Sequence, residues 1–242
     1  MPRLNVNVNS VAAFRAMRNL KSPDPVHAAV IAEMAGCDGI TVYIGPGGEP
    51  IKKRDLYSLR DVVHSHLNVT SNPTDDLIET VKEVKPDMIT LVSDGSGIEP
   101  SAGVFGPEID HEDLTEIIAD LQNNGILVSV TVNPEIESVK AAAKLKVDYV
   151  QLSTLDYSMA GAAGEVSAEL EKISSAAALA SRLYTGVSAG GGLNYRNISS
   201  IIELDEVEEI IVGYAIIDRA IFVGLERAVR EMADMVKRAR IQ

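Results

Sequence analysis

The sequence is poor in the groups that most often betray a chemistry. It has a single cysteine, Cys37, so no internal disulfide can form. Its setting in EMAGCDGI reads as a small buried side chain rather than a nucleophile. No apolar run is long enough to span a bilayer. The opening MPRLNVNVNS lacks the basic segment and apolar stretch of a secretory signal, so a water-soluble cytoplasmic protein with no membrane partner is expected. Basic side chains are outnumbered, 22 against 35, for a net charge of −13. No run of Lys and Arg interleaved with aromatics offsets that charge, which would repel a nucleic-acid backbone over most of the surface. Nucleic acid is not an expected partner. There is no His and carboxylate cluster with metal-ligand spacing, so no metal and no other cofactor is expected. A small phosphorylated ligand stays open, because amides at a helix N-terminus bind an anion locally.

What the chain does have is alternation. Apolar, β-rich runs recur at 4–8, 39–44, 67–70, 87–92, 126–132, 148–152, 184–189 and 208–213. Between most of them lie segments with helical spacing, such as PVHAAVIAEMAG, TDDLIETVKEV, DLTEIIADLQNNG and EIESVKAAAKL. Start signals at Thr74 with Asp75 and Asp76, and at Pro134 with Glu135, pair with stop signals at Gly36 and Gly125. Eight such units predict an α/β fold, a closed (β/α)8 TIM barrel filling residues 1–242 as one domain. A doubly wound open sheet would need a glycine-rich fingerprint after its first strand, and none is there. The stretch 93–110, rich in Gly, Pro and Ser, follows the fourth strand and reads as a lid. The segment from Ala220 onward reads as one long amphipathic helix with a basic end.

Alternation also phases the strands. If apolar positions face the helices, Asn7, Asn9, Thr41, Tyr43, Asn68, Thr70, Ser129, Thr131, Gln151 and Ser153 face the interior. That interior is polar and uncharged, whereas one meant only for packing would use Val, Ile and Leu. The amides and hydroxyls therefore point to a ligand or to ordered water. The four histidines, His27, His64, His66 and His111, fall on helices or at strand entries, away from the mouth. Of the carboxylates, Asp94, Glu99, Asp156 and Glu108 can reach it.

After the seventh run comes AGGGLN, with Gly190, Gly191 and Gly192, and after the eighth comes Gly213 immediately before a predicted helix. In barrels these two loops commonly build a phosphate site, since glycines let backbone amides approach the oxygens.

The stretches SPDPVHAAVIAEMAGCDGITV, AGGGLNYRNI and VGYAIIDRAIFVGLERAVREM, together with the nearly insertion-free run from residue 4 to the final helix, resemble the pyridoxine 5′-phosphate synthase family. The resemblance implies a TIM barrel with extra helices, assembled as a homo-oligomer, a dimer or larger. It implies condensation of 1-deoxy-D-xylulose 5-phosphate with 3-amino-2-oxopropyl phosphate. It also implies a phosphate corner at Asn7, Arg18, Gly192 and Gly213. Elsewhere this sequence departs from the family's pattern. The family's Asp-His pair on the first strand corresponds to Asn9 and Ser10, and its catalytic His after the second strand to Tyr43. A substrate-binding Arg and His correspond to Gly45 and Pro50, and the general-base Glu to Thr70. The Glu of the sixth strand corresponds to Gln151, the loop His to Gly191, and the final Gly-His to Gly213 and Tyr214.

Three functions follow from these readings. The first expectation is a divergent barrel that binds a phosphorylated metabolite and catalyses a different, transferase- or lyase-type reaction, with Tyr43, Tyr214, Asp94 or Asp156 handling protons. The second is a non-catalytic binding or regulatory protein. The third is a pyridoxine 5′-phosphate synthase with an altered catalytic set, serving vitamin B6 biosynthesis.

Overall fold

Aliphatic residues, many of them β-branched, fill one face of each strand, and that face is driven against helices. Val6, Ile40, Val42, Val69, Val128, Val130, Val150 and Ile210 are all fully buried in one continuous hydrophobic core. A computed structural model describes residues 1–17, 21–46, 50–93, 103–108 and 111–238. Its eight strands are β1 (Arg3–Asn7), β2 (Gly39–Ile44), β3 (Leu67–Ser71), β4 (Met88–Leu91), β5 (Leu127–Val132), β6 (Tyr149–Ser153), β7 (Gly186–Gly190) and β8 (Glu209–Val212). All neighbours pair in parallel, and β8 closes on β1. The barrel expectation holds.

The helices between strands include α2 (Pro25–Met34), α3 (Lys53–Val62), α4 (Asp75–Val84), α5 (His111–Asn123), α6 (Ile136–Lys144), α8 (Ala163–Arg182) and α9 (Ile198–Ile202). Additional helices are α1 (Asn9–Met17), which opens the chain after β1, and the short α7 (Leu155–Met159). Local chemistry sets their ends. Asp24 caps α2 by accepting from the Val26 amide at 3.0 Å, with Pro25 in the first turn. Gly36 and Gly125 take positive φ, 98° and 78°, where the sequence puts stops.

The long terminal helix is a correction. The chain forms α10 (Tyr214–Val223) and α11 (Leu225–Arg238), interrupted at Gly224, whose φ of 82° and ψ of 153° no helix can carry. The segment read as a lid falls largely on 94–102 and 109–110, outside the described residues.

The strand entries are stapled by a repeated device. Asp38, Asp87 and Asp148, each just before an even-numbered strand, accept from the backbone amides of Leu4, Leu67 and Val128 at 2.9, 2.8 and 2.8 Å. Burial alone would raise the Asp87 carboxyl, but the Leu67 amide and Arg60 outweigh it and hold it below the usual range. Each staple fixes one strand's entry against the next, which fixes the register of the ends carrying the site.

Candidate functional site

The strand registers place one set of side chains inside the barrel: Asn7 is opposite Thr41, Thr41 opposite Asn68, and Thr131 opposite Gln151. At the C-terminal mouth these close around a cavity. Asn7, Asn9 and Ser10 form one wall, Thr41, Thr70 and Gln151 the base, and Gly190, Gly191, Gly192, Gly213 and Tyr214 the opposite corner, with Leu193 and Ile211 as apolar filling.

The first wall is set by a turn. Asn7 Oδ1 accepts from the Asn9 amide at 2.9 Å, which ends β1 and starts α1. Asn9 Oδ1 then accepts from the Tyr43 amide at 2.8 Å, tying α1 to the end of β2. Asn9 therefore lines the mouth from a helix rather than from an inward strand position, which corrects the phasing at that residue.

The glycine corner is shaped by what it cannot accommodate. A Cβ on Gly192, at φ 68°, would stand 2.0 Å from Ser158 Oγ of α7, and one on Gly213 would stand 3.1 Å from Asn7 Cβ. The loop's carbonyls are engaged away from the corner. Thr154 donates from its amide to Gly190 O at 2.9 Å and from its hydroxyl to Gly191 O at 2.6 Å. Asn194 and Asn197 donate to Gly192 O at 3.3 and 3.2 Å. Gly213 O accepts from the Ile216 and Ile217 amides at 3.0 and 3.3 Å, so α10 begins at the cavity edge.

Eleven of the sequence-derived residues meet at this cavity: Asn7, Asn9, Ser10, Thr41, Thr70, Gln151, Gly190, Gly191, Gly192, Gly213 and Tyr214. Others do not line it. Tyr43 is 3% exposed and its hydroxyl donates to Asn72 Oδ1 at 3.0 Å, so it is packed behind the wall. Asp156 is exposed in the first turn of α7 and does not line the mouth, because its strand ends at Ser153 and the chain turns into a helix. Asn68 lies deeper, accepting from the Thr90 hydroxyl at 3.0 Å. Thr131 is buried within the barrel wall. Ser153 Oγ accepts from the Leu155 amide at 3.5 Å as the chain enters α7. Glu108 is exposed. Arg18, Asp94 and Glu99 lie outside the described residues.

Among the described residues the lining carries no carboxylate, imidazole or ammonium, and Tyr214, 43% exposed, is its one phenol. Cys37 is buried elsewhere, its thiol pushed up to about 12 chiefly by burial. Among the described residues no group of three His, Cys, Asp or Glu could hold a metal ion. No described helix is long and apolar enough to cross a membrane.

Ser129 faces inward as read, and sequence reasoning missed the rest of this deeper layer. Asn5, Ser188 and Glu209 also face inward, and all four carry buried polar atoms that have no protein partner, positions suited to internal water. Stepping back by two from Gly213 through Ile211 reaches Glu209, so the phasing applied elsewhere would have found it.

The profile of the family described as "Pyridoxal phosphate biosynthesis protein PdxJ" matches residues 4–238. A pyridoxine 5′-phosphate synthase of Geobacter sulfurreducens is 41% identical over 239 residues, covering 99% of this chain and 100% of the relative. One from Trichodesmium erythraeum is 38% identical over 232 residues, covering 96% of this chain and 97% of the relative. Among solved structures, the N-(5′-phosphoribosyl)anthranilate isomerase of Pyrococcus furiosus superposes with a TM-score of 0.62 at 13% identity, covering 98% and 99% of the two chains. That likeness is one of fold.

Proposed function

The chain belongs to the family of the pyridoxal phosphate biosynthesis protein PdxJ. From that premise we propose that it is a pyridoxine 5′-phosphate synthase with an altered catalytic set, holding a phosphorylated substrate at the glycine corner between β7 and β8. The observation that carries this reading is the match to relatives of that name, 41% identical across 99% of this chain. The corner supports it physically. With the carbonyls of Gly190, Gly191 and Gly192 engaged by Thr154, Asn194 and Asn197, the loop's remaining polar offering to a phosphate is its amides. The first turn of α10 adds amides and a favourable dipole.

In this mechanism the wall orients and does not titrate. Asn7 and Gln151 supply carboxamides and Thr70 a hydroxyl, all hydrogen-bonding without carrying charge. Proton transfer at the mouth falls to the Tyr214 hydroxyl and to the substrates' own phosphates. Assembly as a homo-oligomer is part of the same reading, and analytical ultracentrifugation tests it.

The uncharged lining among the described residues favours a second reading, in which the same pocket binds a phosphorylated metabolite and either turns it over by different chemistry or only senses it. One experiment separates the two. Purified protein is incubated with 1-deoxy-D-xylulose 5-phosphate and 3-amino-2-oxopropyl phosphate, and pyridoxine 5′-phosphate is sought by mass spectrometry beside an active relative. Product is the expected outcome. Its absence while the relative is active would leave the second reading.

A further inference from the structure

Glu209 opens β8 and faces into the barrel, fully buried, with neither carboxylate oxygen bonded to the protein. In the sheet it lies opposite Ser188, which lies opposite Gln151, and Gln151 lines the cavity at the mouth. Ser188 Oγ and Gln151 Oε1 are also buried without partners. Three inward polar side chains on adjacent strands thus run from a buried acid to the site. With strands about 4.8 Å apart, the path is two strand spacings, about 10 Å.

The groups around the acid do not cancel it. On β1, Arg3 is its register partner, but Arg3 also donates to the Tyr149 hydroxyl at 3.2 Å. Tyr149 in turn donates to Glu208 at 2.9 Å. His66, just before β3, brings Nε2 to 3.8 Å from Glu209 Oε1, beyond hydrogen-bond reach. Asp87 and Arg60 stand beyond His66. Burial and the Arg3 and Arg60 cations, opposed by Asp87, lower the His66 pKa, so its ring is neutral at neutral pH.

We propose that Glu209 is the titrating group beneath this mouth, whose described lining is otherwise uncharged, and that its protonation sets how tightly the mouth holds an anion. The proposal rests on the phosphate-site reading above. An anion at the mouth and a carboxylate beneath it repel through an interior of low dielectric, so binding draws a proton onto Glu209. By linkage, a neutral Glu209 binds the anion more tightly. At about 10 Å and an effective dielectric of about 20, each pair of unit charges interacts by about one pKa unit, so a dianion at the mouth shifts the acid by about two. Burial pushes the carboxyl up to about 7, against Arg3 and with Glu208, which puts the transition in the neutral range.

The test uses sulfate, a dianion throughout pH 6 to 8.5 that contributes no titration of its own. Calorimetry in two buffers of different ionisation enthalpy should find binding more than tenfold weaker at pH 8.5 than at pH 6, about 25-fold for a dianion, with proton uptake near neutrality. Glu209→Gln should bind at the low-pH strength throughout, without proton uptake. The same pH dependence in Glu209→Gln, or none in the wild type, would overturn the inference and leave the phosphate site standing. No sulfate binding at any pH would overturn both. Infrared titration of the wild type, which needs no variant, should find a carboxyl titrating near neutrality that shifts upward in saturating sulfate. Absence of such a carboxyl also overturns it.

Discussion

The Tyr43 hydroxyl donates to Asn72 Oδ1 at 3.0 Å, and the same carboxamide donates to the Ser93 carbonyl at 2.9 Å. Ser93 Oγ then donates to Val104 O at 2.7 Å. The residue standing where the family resemblance puts a catalytic histidine is thus a tie between the ends of β2, β3 and β4.

Tyr43→Phe should therefore cost stability rather than ligand affinity. Removing the phenol leaves the Asn72 oxygen buried without its donor, a loss of about 1–3 kcal/mol. The expected result is a lower unfolding midpoint in urea, with sulfate affinity unchanged within about twofold. A folded variant that binds ten times more weakly would return Tyr43 to the site.

Gly192→Ala tests the corner directly. The left-handed φ of 68° costs a residue with a Cβ about 1–2 kcal/mol, and the 2.0 Å approach to Ser158 Oγ forces α7 or the loop to move. Both stability and sulfate binding should fall. Adding Ser158→Gly should recover the part due to the clash and leave the backbone strain. Full binding by Gly192→Ala alone would remove the corner from the site.

Much of this architecture was legible in the sequence because it follows from period and punctuation. The two-residue alternation that put Val6 toward the helices and Asn7 toward the interior holds around the barrel, and Gly36 and Gly125 ended helices where they were read to. The readings that failed needed facts about closure. Asp156 looked available to the mouth, but the chain turns into α7 immediately after β6. Tyr43 shares the inward phase of Thr41, yet only the packing of Asn72 and Gly45 around its ring shows that it is walled off. Glu209 went unnoticed because a glutamate at a strand entry ordinarily reads as solvated; closure of β8 onto β1 is what buries it.

A buried ion pair supports the wall from outside. Arg15 of α1 donates from Nη1 to Asp55 Oδ1 at 3.0 Å and from Nη2 to Oδ2 at 2.5 Å, and also to Pro50 O at 3.2 Å. The two side chains are only 4% and 6% exposed. Breaking such a pair leaves one charge buried, so Arg15→Ala should destabilise by about 3–5 kcal/mol. Arg15→Met with Asp55→Leu should cost less than the sum of the singles in a double-mutant cycle. Burial raises the Asp55 carboxyl, but bonds from Arg15 and the Lys52 amide outweigh it and hold it below its ordinary value. Its contribution is present above the unfolded-state pKa and lost as pH falls through the folded one, so wild type and Arg15→Ala should converge in acid.

Glu209 carries the opposite sign. Its carboxyl is raised from 4.5 to about 7 in the fold, so the folded protein holds the proton more tightly than the unfolded chain. The protonated acid costs nothing below pH 4.5, and the penalty grows as pH rises from there to about 7. A shift of that size corresponds to about 3 kcal/mol once the group is ionised. Glu209→Gln removes the charge and keeps the shape, so it should match the wild type at pH 4.5 and exceed it at pH 8, the gap opening between pH 4.5 and about 7 and holding constant above that. Urea unfolding of both proteins across that window checks the sign. A variant less stable than the wild type at pH 8 would mean that the ionised carboxylate is paired in the fold, and that the barrel beneath the mouth is better neutralised than its geometry indicates.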